Sequence, residues 1–223
     1  MNLTDLEHEI IGCRKCERLV TFREKIALQK RKSFIDWNYW GKPVPGYGNP
    51  NARMMILGLA PAAHGGNRTG RVFTGDKSAD FLFKCLYHVG LANQPNSDHR
   101  NDGLKLDGYI TPAIKCVPPG DKPTAEEKDN CEPFLAKEFH LLNHLKVVMG
   151  LGKIGFDACL KFVRNTHPIK MKDYKFGHGV RYKLPNGLTL FGAFHPSPRN
   201  VNTGRLSFEM MVHFLEKVKK ELE

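Results

Sequence analysis

No stretch of this sequence reaches the roughly 18 uninterrupted apolar residues that a membrane-spanning helix requires. The start, M-N-L-T-D-L-E-H-E-I, carries acids where a secretory leader carries basic residues, so a cytoplasmic chain is expected. Internal repeats, low-complexity tracts and an interdomain linker are also missing, which leaves residues 1–223 to be read as a single domain. Neither G-x-G-x-x-G nor a phosphate-binding P-loop occurs, so the common nucleotide-cofactor signatures do not apply. Acids are the scarce charge: 23 Asp and Glu stand against 34 Lys and Arg, for a formal net charge of +11. That balance makes a polyanion the first partner to consider and an acidic membrane face the second. A chain of this length buries about 70% of its unfolded surface and needs no disulfide scaffold. Its six cysteines therefore require another explanation.

The apolar runs that are present are short. R-M-M-I-L-G-L, residues 53–59, follows a Pro/Gly-rich approach and ends in a turn, as a buried central strand does. Similar runs at 108–114, 146–151 and 188–194 alternate with helical patterns. The alternation predicts an α/β fold: a three-layer α/β/α domain with a central, mostly parallel four-stranded sheet and helices on both faces. Phe81, Leu82, Cys85, Leu86 and Val89 repeat at helical spacing behind Asp76, and Leu206, Met210, Phe214, Val218 and Leu222 do so near the C-terminus. Thr124 and Glu127 form a capping box for a helix that Pro133 is expected to interrupt or restart. Residues 166–186 show no clean period and read as a loop or hairpin. In such a sheet, ligands gather at the C-terminal strand ends, which directs attention to the segments after Leu59, Ile114 and Phe194.

Cys13 and Cys16 form C-x2-C, and Cys116 and Cys131 form C-x14-C about a hundred residues later. Four thiolates suffice for one metal centre, and neither pair lies in an apolar helical stripe, whereas Cys85 and Cys159 do and are assigned to the core. Tetrahedral zinc, an iron-sulfur cluster and unliganded thiols all remain open for a cytosolic chain. The wide second pair, straddling P-P-G-D-K-P, favours a larger 4Fe-4S cluster over the paired tight knuckles of a zinc ribbon.

The segment after the first strand, G-L-A-P-A-A-H-G-G-N-R-T-G-R-V-F-T-G-D, is a Gly-rich loop ending at a helix start, where backbone N–H groups can approach an anion or a flat ligand. After the last strand comes H-P-S-P-R-N-V-N-T-G-R-L, in which proline stiffens the chain around His195 while Ser197, Asn200 and Arg205 offer donors to phosphate. Together these segments closely resemble the uracil-DNA glycosylase superfamily, and the four cysteines, with Leu59 where family 4 carries an acid, make the chain most similar to its family 5 iron-sulfur branch. The resemblance spans Cys13 to Leu206. It implies that Gly58, Leu59 and Ala60 border the base, that Phe73 stacks on a flipped uracil and that Asp76 is the catalytic acid of T-G-D. It also implies that His195 hydrogen-bonds uracil O2 and that Cys13, Cys16, Cys116 and Cys131 hold a 4Fe-4S cluster. The chain departs from relatives at Pro112, where family 4 has a uracil-reading Asn, and at Asp121, where Asn is frequent.

The expected function is hydrolytic excision of uracil, with other deaminated bases as further candidates, from double- and single-stranded DNA, leaving an abasic site. The resemblance implies a cytoplasmic, nucleoid-associated monomer, with a sliding clamp as a further partner to consider. Competing readings are a non-catalytic DNA-binding metalloprotein and a hydrolase of free nucleotides; Phe73, Asp76 and His195 together argue against the first and the basic rim against the second. No lysine is placed as a Schiff-base nucleophile, so strand nicking is not expected. Taken singly, Phe73 would be a core aromatic, Asp76 a helix cap and His64 a competitor to His195.

Overall fold

The computed structural model describes residues 1–223. In chain order the helices are α1 (Leu3–Ile11), α2 (Glu17–Gln29), α3 (Gly66–Thr69), α4 (Lys77–His88), α5 (Ala125–Leu141), α6 (Gly152–Arg164), α7 (Pro198–Asn202) and α8 (Phe208–Lys220). The strands are β1 (Tyr47–Gly48), β2 (Met54–Gly58), β3 (Tyr109–Pro112), β4 (Val147–Leu151), β5 (Arg181–Lys183) and β6 (Thr189–Ala193). They form one sheet in the order β1-β3-β2-β4-β6-β5. The four expected strands are its parallel centre, and β1 and β5 add short antiparallel edges. The expected count of four is thus corrected to six. Two residues of β1 and three of β5 are too few to show an alternating pattern, and β5 lies inside the aperiodic 166–186 stretch.

All residues of β2, β4 and β6 are buried, as expected for parallel strands covered on both faces. Their side chains divide by the period-two rule. Met54 and Ile56 join a core with Leu82, Leu86, Met211 and Leu215 of α4 and α8, while Met55 and Leu57 join another with Leu135, Phe156 and Leu160 of α5 and α6. That division makes the three layers. No helix is long and apolar enough to cross a membrane.

Three local expectations change. Pro133 lies inside a continuous α5: Cys131, Phe134, Leu135 and Glu138 are buried on either side of it, and this packing outweighs the roughly 3 kcal/mol penalty of an interior proline. Cys131 consequently sits on the buried face of a helix rather than outside one. In α8 the buried face is Met211, Val212, Phe214, Leu215 and Val218, whereas Met210 is exposed. The other four residues of the expected stripe, Leu206, Phe214, Val218 and Leu222, are buried, so Met210 alone falls outside the packed face. The capping box of Thr124 with Glu127, and the core positions of Cys85 and Cys159, are as expected.

Candidate active site

Strands β2, β3 and β6 deliver three loops to one end of the sheet. Strand order reverses around β2, with β3 on one side and β4 on the other, which opens a crevice at the strands' C-terminal ends. There Leu59, Ala60, Phe73, Asp76, Asp121, His195 and Ser197 line one cavity of about 380 Å³. Gly58 lies just behind it, and a Cβ there would come within 2.9 Å of the Phe73 ring. Phe73 adopts a left-handed φ of 47°, unusual for a bulky residue. Ser97 Oγ donates to its carbonyl at 2.9 Å, and its ring centroid is 5.7 Å from that of His195 at 33° between planes.

Asp76 is the N-cap of α4, accepting at Oδ1 from the backbone N–H of Ser78 (2.9 Å) and Ala79 (3.0 Å). Its other oxygen, Oδ2, lies beside Gly65, where any side chain would collide with the carboxylate. Burial raises the Asp76 pKa above the ordinary aspartate value, the two backbone N–H groups acting against it. His195 is half-buried, and burial lowers its pKa against the opposing charge of Asp121. The Asn200 side-chain amide donates to the His195 carbonyl at 2.8 Å, and Ser197 Oγ caps α7 by accepting from Asn200 N at 3.3 Å. These two side chains thus fix the histidine loop itself. Arg205 is exposed, its guanidinium 4.5 Å from the Phe194 ring centroid. His64 does not line the cavity of Phe73 and His195; its Nδ1 is 3.0 Å from the Tyr39 hydroxyl, and it lines an adjoining cavity that also reaches Asp76 and Asp121.

Cys13, Cys16, Cys116 and Cys131 line a second, separate cavity. Cys16 caps the start of α2 without a side-chain bond, and Cys131 faces it from α5. Burial pushes the Cys116 thiol up to about 12 and the Cys131 thiol to about 11. Arg23, only 2% exposed, reaches into this cavity. Its Nη1 donates to Cys116 Sγ at 2.9 Å and to the Cys13 carbonyl at 3.3 Å, while its Nε has no partner. The partners of this buried cation are thus a sulfur and a carbonyl. A desolvated guanidinium without an anion is strongly unfavourable, and a centre bound by four thiolates would supply the missing negative charge. No group of three or more His, Cys, Asp or Glu side chains is arranged to hold a single metal ion.

The model of the uracil DNA glycosylase superfamily matches residues 45–219. A type-5 uracil-DNA glycosylase of Pyrobaculum aerophilum is 44% identical over 214 residues, covering 96% of this chain and 90% of the relative. One from Thermus thermophilus is 42% identical over 215 residues, covering 95% and 94%. This chain belongs to the type-5 family of the uracil-DNA glycosylase superfamily. A type-4 enzyme of Archaeoglobus fulgidus is also similar, at 30% identity over 200 residues covering 88% of the chain and 82% of the relative.

Several buried polar groups of this type-5 glycosylase escaped the sequence reading. Beneath the pocket, Arg71 is paired with Asp102 at 2.7 Å and also donates to Ser97 Oγ and Thr74 Oγ1. Although burial pushes the Asp102 carboxyl up, Arg71 and the backbone N–H groups of Leu104 and His99 bring it down to about 2. Beside Cys116, Lys115 Nζ donates to Glu138 Oε2 at 2.7 Å, with both groups fully buried. Basic residues in a chain rich in Lys and Arg give no periodic sign that they point inward. The one available signal was the position of Arg71 and Lys115 directly against apolar runs.

Proposed function

We propose that this chain hydrolyses the bond between deoxyribose and uracil in DNA, using Phe73, Asp76 and His195 on a nucleotide turned out of the helix. The observation that carries this reading is the meeting of those three side chains, from two distant segments, in one cavity. Reaching a glycosidic bond in duplex DNA requires extruding the nucleotide into a pocket with a stacking surface and polar groups at the base edge. Phe73 offers the surface. Leu59 and Ala60 border the ring, and Asp121 and the His195 side chain lie where the base edge would fall.

Cleavage leaves positive charge on the sugar and negative charge on the departing base, so a donor directed at the base oxygen acts where charge develops. His195, kept neutral by burial, donates an N–H there without requiring a proton from solution. Asp76 has both capping bonds on Oδ1, which leaves Oδ2 as the acceptor for the proton of the attacking water. Its raised pKa makes it a stronger base than an exposed carboxylate. Ser197 and Asn200 hold the histidine loop, and Arg199 and Arg205 at its exposed edge meet the phosphates.

Cys13, Cys16, Cys116 and Cys131 would hold a 4Fe-4S cluster, supported by their shared cavity and by the buried guanidinium of Arg23. A cluster spreads its ligands more widely than a single ion does, which suits sulfurs that share a cavity without converging on one point. When bound it fastens the N-terminal segment to α5 and to the loop after β3. The whole chain acts as one domain, since every strand joins one sheet, and as a cytoplasmic, nucleoid-associated monomer on DNA. The test is incubation with single- and double-stranded oligonucleotides bearing uracil, hypoxanthine or thymine, followed by alkali. Strand breaks at uracil only after alkali are expected; no breaks at any base would refute the reading.

A further inference from the structure

Two backbone carbonyls flank the free oxygen of Asp76, and one side chain binds both. Asp76 Oδ2 lies against Gly65, so the peptides just before these two residues carry the carbonyls of His64 and Gly75. Arg68 Nε donates to the His64 carbonyl at 2.7 Å, and its Nη2 donates to the Gly75 carbonyl at 2.8 Å. A planar guanidinium presents its donors in a fixed fork, so this pair of bonds sets the separation of the two peptides as well as joining them. Gly75 has a left-handed φ of 72°, and a Cβ there would collide with Nη2. The fork is itself held in place. Arg68 is 3% exposed, and its guanidinium lies 3.9 Å from the Phe34 ring centroid and 4.0 Å from that of Trp37. Backbone bonds from Arg68 N to Gly65 O and from Trp40 N to Arg68 O fasten its main chain.

None of these contacts cancels the charge. Both side-chain bonds go to neutral carbonyls, and Nη1 is buried without a partner. We propose that Arg68 is a positioning residue for Asp76, its fork fixing the two peptides beside Oδ2 so that this oxygen stays open to the attacking water. The proposal rests on the uracil-excision reading above. A base displaced by about 1 Å from its water can lose about 10²-fold in rate, so a rigid tie between the walls of the site acts directly on the chemistry. The charge acts on the same oxygen. Burial raises the Asp76 pKa, and the Arg68 guanidinium works against that rise. The other charged or titratable groups that share cavities with Asp76 are Arg31, His64, Lys77, Asp80, Asp98, Asp121 and His195. Arg31 and Lys77 are exposed, and burial together with Arg31 and Arg68 holds His64 below the usual histidine range. Arg68 is therefore the one buried cation beside this carboxylate.

The test follows single-turnover uracil release across pH by the full-length protein, as wild type, Arg68→Lys and Arg68→Gln, beside the affinity of each for uracil-containing duplex. Lysine keeps the charge and loses the fork. Arg68→Lys should release uracil about 10-fold to 100-fold more slowly at every pH, with the acid limb where wild type has it and affinity within about 2-fold. Glutamine removes the charge as well. A nearby cation favours the ionised carboxylate, so Arg68→Gln should show the acid limb about one pH unit higher than wild type. A side chain that only supports the fold would lower the melting temperature of both variants and leave the acid limb unmoved. A wild-type rate for Arg68→Lys, an unmoved acid limb for Arg68→Gln, or a loss confined to affinity would overturn the proposal. Should Arg68→Gln fail to fold, the rate of Arg68→Lys decides alone. Wild-type protein that releases no uracil would instead overturn the excision reading on which the positioning role depends.

Discussion

At Asp76 two demands meet in one side chain. The carboxylate caps α4 and also lies half-buried in the pocket, where its pKa is raised. A raised value means that the folded chain still holds a proton that the unfolded chain has released. Stability therefore declines as pH climbs from the ordinary aspartate value of about 3.9 through the raised one, and at neutral pH the ionised group opposes folding. Asp76→Asn keeps an acceptor for Ser78 N and Ala79 N and removes the charge, since Asn caps as well as Asp. Melting should show Asp76→Asn at least as stable as wild type, with single-turnover cleavage lowered about 10²-fold or more. A marked drop in melting temperature would mean that the charge itself stabilises the fold. The acid limb of the rate profile, set in wild type by Asp76 losing its proton, should inflect above ~3.9 and vanish in Asp76→Asn. Phe73 shows a related tension, its left-handed backbone held by Ser97 so that the ring faces His195.

Elements with a strong period were legible in the sequence; those defined by a few residues or by tertiary contact were not. The four central strands and α4 follow from apolar runs and caps, whereas β1 and β5 are too short to carry a signal. Helix α5 contradicts its own sequence at Pro133, because the burial of Cys131 and Glu138 fixes both halves. The four cysteines were legible by spacing and do line one cavity, but Arg23 was not, since a basic residue on an amphipathic helix usually points to solvent. Arg23→Gln retains an N–H donor and loses the cation. If a cluster occupies the cysteine cavity, the variant's brown absorbance should bleach several-fold faster in air than wild type. An unchanged bleaching rate would dissociate Arg23 from the metal centre. Cys116→Ser should lower the melting temperature and iron content together, because its segment joins the N-terminal helices to the sheet.

Across the whole molecule the excess of 34 basic over 23 acidic residues sets the affinity for any polyanion. If about five phosphates are contacted, log K should fall with a slope near ~4.5 against log salt for duplex DNA. Arg205→Ala should weaken binding to uracil-containing and normal duplex alike, because a phosphate contact carries no base information. Gel-shift titrations with both duplexes would show this, and a loss confined to uracil-containing DNA would place Arg205 at the base instead. The central claim is that His195 acts on charge that appears only as uracil leaves. Its most direct test is single-turnover uracil release by His195→Ala, measured beside the affinity of the same variant for uracil-containing DNA. Removing one well-placed oxyanion donor should slow cleavage about 10²-fold to 10³-fold while affinity stays near wild type. A variant that cleaves at a near-normal rate, above all if His64→Ala does not, would contradict the assignment.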